Sequence, residues 1–151
     1  MQLKRVSEIM TEAPIDTVEQ GLSIQYAANI MKERGRGSLV VLDNRKPVGI
    51  ITERDIVRRV VAEARDVNET KVKDAMSTPL ITIGPEATVE AAAKVMYENG
   101  IRRLPVVEND NLVGIITSTD FVKAMIKEKK EPDGMLMAMA RFKYLEELNL
   151  T

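Results

Sequence analysis

The apolar positions along this chain change period in a regular way. Pro14-Ile15-Asp16-Thr17-Val18 reads as a short strand opened by proline, a residue that strand starts tolerate. Ile24, Ala27, Ala28 and Met31 then recur at helical spacing behind Ser23, which suits an N-cap; Gly35 and Gly37 close that helix. Leu39-Val40-Val41-Leu42 and Val48-Gly49-Ile50-Ile51 are apolar runs of strand length, separated by the turn residues Asp43-Asn44-Arg45-Lys46. From Glu53 to Ala64, the residues Ile56, Val57, Val60 and Val61 share one face of a second helix. The pattern predicts a β-α-β-β-α unit.

The unit occurs twice. Residues 14–60 laid over residues 79–125 coincide at Pro14/Pro79, Thr17/Thr82, Ala27-Ala28/Ala92-Ala93, Met31/Met96 and Gly35/Gly100. The match continues through Leu39/Leu104, Val41/Val106 and Asn44/Asn109. It then runs unbroken over Val48–Thr52 and Val113–Thr117, and includes Asp55/Asp120. Upstream, Val6–Met10 resembles Val72–Met76, one residue out of step. The second copy is expected to place strands at Leu80–Ile83, Leu104–Val107 and Leu112–Ile116, and helices at Val89–Glu98 and Ser118–Lys129. Residues 65–71 form a polar linker. The expected organisation is a first repeat at 1–66, a second at 67–130 and a tail at 131–151.

A single copy of about 60 residues buries too little surface to be comfortably stable by itself. The expected fold is therefore α+β, with two tandem repeats packed sheet to sheet under pseudo-twofold symmetry. In the tail, Glu131-Pro132-Asp133-Gly134 signals a turn. Met135, Met139, Phe142, Leu145 and Leu148 then fall near one helical stripe. A C-terminal helix there would cover its own domain or dock on a second subunit, since Met-rich faces adapt to partners.

Composition narrows the chemistry. Of 151 residues, 44% are hydrophobic and 30% charged, a globular balance. There is no His and no Cys. Imidazole bases, thiol nucleophiles, His or Cys metal sites and disulfides are thereby removed, and Ser-His-Asp triads, zinc hydrolases and haem proteins with them. With 22 basic and 23 acidic residues the net charge is -1, so no global positive field draws nucleic acid. The first residues, Met1–Glu8, contain no apolar signal core, and no apolar run approaches the roughly 20 residues of a membrane span. The expected location is the cytoplasm. No catalytic constellation and no metal site is visible, so the chain is not expected to be an enzyme.

Two segments matter most: Gly49-Ile50-Ile51-Thr52-Glu53-Arg54-Asp55 and Gly114-Ile115-Ile116-Thr117-Ser118-Thr119-Asp120. Thr-x-x-Asp before an apolar helix is close to a capping box. Each segment also stands where an apolar strand ends and a helix opens, a place with free N–H groups suited to phosphate. The Asp carboxylate can accept two hydrogen bonds from a ribose cis-diol, and the neighbouring isoleucines offer a flat wall to a purine.

With these segments, Val6–Thr11, Val72–Ser77 and Gly100-Ile101-Arg102-Arg103-Leu104-Pro105-Val106-Val107, the sequence resembles the paired cystathionine-β-synthase (CBS) domains, also called Bateman modules. The resemblance spans residues 6–129. It implies a regulatory module that binds AMP, ADP, ATP or S-adenosylmethionine between its two repeats and signals to a protein in trans. Carried over by position, it places Asp55 and Asp120 on ribose hydroxyls and Thr52 and Thr117 toward phosphate. Ile15 and Leu80 would flank adenine, with Ile50 and Ile115 behind it. Arg103, helped by Arg102, would contact phosphate. By the family's symmetry Asp55 would work with Thr78 and Leu80, and Asp120 with Ala13 and Ile15. Arg54 and Thr119, inside the two motifs, complete the candidate set.

The copies diverge where Gly37-Ser38 stands against Arg102-Arg103, so Ser38 would be the weaker phosphate contact. The Asp55 site, completed by Arg103, is expected to bind better. The resemblance also implies a homodimer through helices 53–64 and 118–129. Rival readings are a ligand-independent assembly module and a nucleic-acid binder using Arg34, Arg36, Arg102 and Arg103. Arg58 and Arg59 read as a solvated helix face.

Overall fold

In the computed structural model, residues 4–128 are described. The expected tail helix over 135–150 lies outside them, as does Lys129. The elements are α1 (Val6–Ile9), β1 (Thr11–Glu12), β2 (Thr17–Glu19), α2 (Ile24–Arg34), β3 (Ser38–Asp43), β4 (Lys46–Thr52) and α3 (Glu53–Ile56). A π-helical turn, Val57–Val61, continues α3; then follow α4 (Val72–Ala75), α5 (Val89–Asn99), β5 (Arg103–Glu108), β6 (Asn111–Thr117) and α6 (Ser118–Glu128).

The two copies form their elements by the same local chemistry. The hydroxyl oxygens of Ser23 and Thr88 accept from the N–H groups of Tyr26 and Ala91, each at 3.1 Å, and so cap α2 and α5. Both helices stop on a glycine at φ 62°, Gly35 and Gly100, whose N–H returns to the carbonyl of Met31 or Met96. Both hairpins reverse through two residues of positive φ, Asn44-Arg45 and Asn109-Asp110. That geometry matches the twist of the flanking strands, and Asn tolerates it better than most residues.

The described chain divides into two compact units. The first holds Pro14–Thr82 and Val107–Val113. Its sheet has the order β2-β3-β4, with β2 parallel and β4 antiparallel to β3. Its core gathers Val18, Ile24, Leu39, Val41, Ile51 and Val60, together with Val72 and Ala75 of α4. The second unit is formed by residues 4–13, 83–106 and 114–128. It contains β1 antiparallel to β6, in a sheet of order β1-β6-β5. Val6, Val89, Met96, Leu104, Ile116 and Phe121 are buried there.

Each unit thus takes a segment from the opposite sequence half. Their short helices explain how. In the first unit Val72 N–H donates to Leu22 O, and Ile24 N–H to Thr70 O. In the second, Val6 N–H donates to Ala87 O, and Val89 N–H to Lys4 O. The otherwise unpaired first N–H groups of each short helix and of its longer neighbour are satisfied reciprocally.

Four local expectations are corrected. The first strand is Thr17–Glu19, shorter and later than 14–18. Leu80–Ile83 forms no strand: only Ile83 makes a bridge, to Val106, and the flanking Pro79 and Pro85 offer no N–H to a ladder. Helix 53–64 becomes one α turn and one π turn. Its apolar stripe splits, with Val60 buried and Val57 and Val61 more than half exposed. In α6 likewise, Phe121 and Met125 are buried while Val122 and Ile126 are exposed.

Candidate functional site

At the end of β4, Thr52 and Asp55 form a reciprocal cap. Thr52 Oγ1 accepts from Asp55 N–H at 3.0 Å, and Asp55 Oδ2 accepts from Thr52 N–H at 3.0 Å. This leaves Asp55 Oδ1 for other partners. Ser77 Oγ donates to it at 3.4 Å, and Arg59 Nε lies 3.9 Å away. Ser77 comes from the other sequence copy. Its backbone is paired with Ile50 in both directions, at 2.8 and 3.1 Å, which sets the chain of residues 76–78 beside β4. Thr78 Oγ1 then donates to Val48 O at 3.1 Å. The Asp55 side chain is only 12% exposed.

Gly49 makes this approach possible. A Cβ there would stand 2.8 Å from both Ser77 O and Met76 Sδ. The second unit repeats the arrangement. A Cβ on Gly114 would stand 2.7 Å from Thr11 O and 2.6 Å from Met10 Sδ. Thr11 pairs with Ile115, as Ser77 does with Ile50.

In the second unit Asp120 Oδ2 accepts from Thr117 N–H at 2.8 Å and from Thr117 Oγ1 at 3.0 Å. Asp120 N–H reaches Thr117 Oγ1 at 3.4 Å. The carboxylate is again half-buried at the strand end. Both motifs are therefore capping boxes in geometry. Their second carboxylate oxygens differ, since the Asp55 oxygen faces Ser77 and Arg59.

The remaining candidates fall as follows. Ser38 opens β3 directly opposite Thr52 and is half-buried. Arg103 opens β5 in the unit that carries Asp120. Arg102 beside it is exposed, and its carbonyl accepts from Ser118 N–H at 3.1 Å. Glu53 N–H makes the matching bond to Gly37 O at 3.0 Å. Leu80, Ile50 and Ile15 are half-buried in the first unit, and Ile115 is half-buried in the second. Ala13 shares a unit with Asp120; Ile15 does not. Arg54 and Thr119 are exposed.

Arg34 and Arg36, candidates for a nucleic-acid patch, both bind Asp16, at 3.1 and 2.8 Å. Reading the sequence missed Ser77 and Arg59. Arg59 carried a usable signal, its i,i+4 spacing from Asp55. For Ser77, whose partner lies 22 residues away, the signal was its neighbour Thr78, which the resemblance had set beside Asp55.

Among the described residues, no group of acidic side chains could hold a metal ion, and no helix is long and apolar enough to cross a membrane.

Two strand-to-helix corners with the same Thr-x-x-Asp cap, in two units of matching construction, define a tandem-repeat protein. The CBS domain family matches residues 6–62 and again residues 72–127, and the chain belongs to that family. Such pairs are in general regulatory, nucleotide-binding modules. The chain is 37% identical over 118 residues to the CBS domain-containing protein YhcV of Bacillus subtilis, covering 78% of this chain and 83% of that one. It spans only 57%, 34% and 55% of the length of other curated relatives. Among solved structures, a conserved CBS domain protein of Thermoplasma acidophilum, of unknown function, superposes with a TM-score of 0.79 at 26% identity, covering 95% of this chain and 78% of that one. A hexameric CBS-CP12 protein from bloom-forming cyanobacteria superposes with a TM-score of 0.73 at 30% identity, covering 86% and 78%.

Proposed function

We propose that this chain is a non-catalytic, cytoplasmic regulatory module whose Thr-x-x-Asp corners hold an adenosine-containing ligand, AMP, ADP, ATP or S-adenosylmethionine. The observation that carries the reading is the Asp55 corner. Its carboxylate uses one oxygen to cap α3 and turns the other toward a segment from the opposite repeat. A ribose diol needs a fixed acceptor of this kind, and the half-buried Ile50 and Leu80 supply apolar surface for a base. A ligand held there touches residues from both repeats, so its binding would register in their packing and pass to a protein partner in trans.

Thermal-shift measurements with AMP, ADP, ATP and S-adenosylmethionine, with GMP as a control, test this. A bound ligand raises the midpoint by mass action. A rise with an adenosine ligand, reduced in Asp55→Asn, supports the reading; no rise with any of the four sinks it.

A second reading is favoured by a separate observation. Val57 and Val61 on the first unit, and Val122 and Ile126 on the second, leave apolar surface on equivalent helices. This surface suits a homodimer built on helices 53–64 and 118–129, which would assemble with or without ligand. Nucleic-acid binding has less support, because Arg34 and Arg36 are both engaged by the carboxylate of Asp16.

A further inference from the structure

Arg59 is one cation that the Asp55 corner has and the Asp120 corner lacks. Arg59 lies four residues after Asp55, within the π turn. Its Nη1 donates to Ala75 O at 3.1 Å and to Met76 O at 2.8 Å, while its Nε stands 3.9 Å from Asp55 Oδ1. Those two carbonyls end the short helix α4, where backbone acceptors lack partners within the helix and carry partial negative charge. One guanidinium therefore joins three things: the carboxylate, the end of α4, and the approach to Ser77 and Thr78. Its planar fork with separate donors suits this, whereas a lysine ammonium is a single point charge. In the second copy the position of Arg59 is occupied by Ala124, which has no donor to offer.

We propose that Arg59 is a positioning residue for the Asp55 corner: it fixes the rotamer of Asp55 and the path of residues 75–78, and so makes this the pre-organised member of the pair. The proposal rests on the nucleotide-binding reading above. It does not require Arg59 to touch the ligand. A group held before binding loses less freedom on binding, and affinity rises accordingly. Arg59 thus gives the Asp55 corner a positioning contact that Ala124 cannot give the Asp120 corner.

The test isolates each corner. In an Asp120→Asn background, AMP and ATP are titrated calorimetrically into the parent and into Arg59→Ala and Arg59→Lys variants. The same titrations are run in an Asp55→Asn background. Loss of contacts that hold a binding carboxylate is expected to weaken the Asp55 corner by about tenfold in Arg59→Ala. Arg59→Lys should recover part of that loss, and the Asp120 corner should be unchanged. A general loss of fold would weaken both corners together, so equal losses overturn the proposal. Unchanged affinity at the Asp55 corner overturns it also. If the wild-type chain binds neither nucleotide, the functional reading fails and takes this inference with it. If the wild type binds and Arg59→Ala binds equally well, only the inference fails. Hydrogen exchange without ligand gives an independent arm. The Ser77 amide, bonded to Ile50 O, should exchange faster in Arg59→Ala, and an unchanged rate contradicts the positioning role.

Discussion

Asp55 and Thr52 hold one another by two hydrogen bonds of 3.0 Å, each side chain accepting from the other's backbone N–H. The residue proposed to hold the ligand is therefore also part of the helix start. Removing the side chain removes the cap, which costs about 1 kcal/mol of stability. Loss of binding in Asp55→Ala would be hard to separate from loss of structure. Asp55→Asn keeps one carbonyl oxygen for the Thr52 N–H and replaces the other with a donor. The expected outcome is a fall in adenosine-ligand affinity of about tenfold or more, with a stability change below about 1 kcal/mol. Paired calorimetric titration and urea unfolding check this.

The glycines at the strand crossings leave little room. At Gly49 and Gly114 an added Cβ would meet backbone carbonyls, Ser77 O and Thr11 O, and these cannot move like a side-chain end. Gly49→Ala and Gly114→Ala are each expected to destabilise by about 1–3 kcal/mol, the usual cost of overpacking. Denaturant midpoints measure it. A loss below about 0.5 kcal/mol at either site would show that the crossing segments separate easily.

Two long helices end on left-handed glycines, but the segment after the π turn ends on Ala64 at φ 53°. An L-residue in that region costs about 1 kcal/mol that glycine avoids. Ala64 is exposed, so nothing else is lost on substitution. Ala64→Gly is expected to raise stability by roughly 0.5–1 kcal/mol, despite the greater freedom of glycine in the unfolded chain. A fall in the urea midpoint would contradict this.

The exposed apolar pairs invite burial between copies. Val61 is 61% and Ile126 72% exposed, and each follows a second exposed valine by four residues, Val57 and Val122. Val61→Glu combined with Ile126→Glu is expected to reduce the mass found by light scattering to the 16.9 kDa of one chain, with little change in circular dichroism. A wild-type chain already of that mass at micromolar concentration would remove the dimer from the account.

Much of this was legible because local chemistry was written twice. Ser23 and Gly35 mark the ends of α2 and the structure uses both as expected; Thr88 and Gly100 do the same for α5. The Asp43–Lys46 turn and the paired Thr-x-x-Asp corners were equally clear. What was missed depends on distant partners. Leu80–Ile83 has strand-like residues, but Pro79 and Pro85 keep it out of a ladder. Arg59 looked like one more solvated charge, since nothing in its neighbourhood announces the carbonyls of Ala75 and Met76. The apolar stripe of Ile56, Val57, Val60 and Val61 suggested one face, yet Val60 is buried and Val57 and Val61 stay outside, just as in α6 Met125 is buried and Val122 and Ile126 stay outside.

The central claim is that the two Asp corners hold an adenosine ligand. Calorimetric titration of AMP into the wild type, Asp55→Asn, Asp120→Asn and the double variant tests it most directly. The account predicts binding to the wild type, a larger loss in Asp55→Asn than in Asp120→Asn, and no binding to a double variant that remains folded. Undiminished binding by the double variant would contradict it.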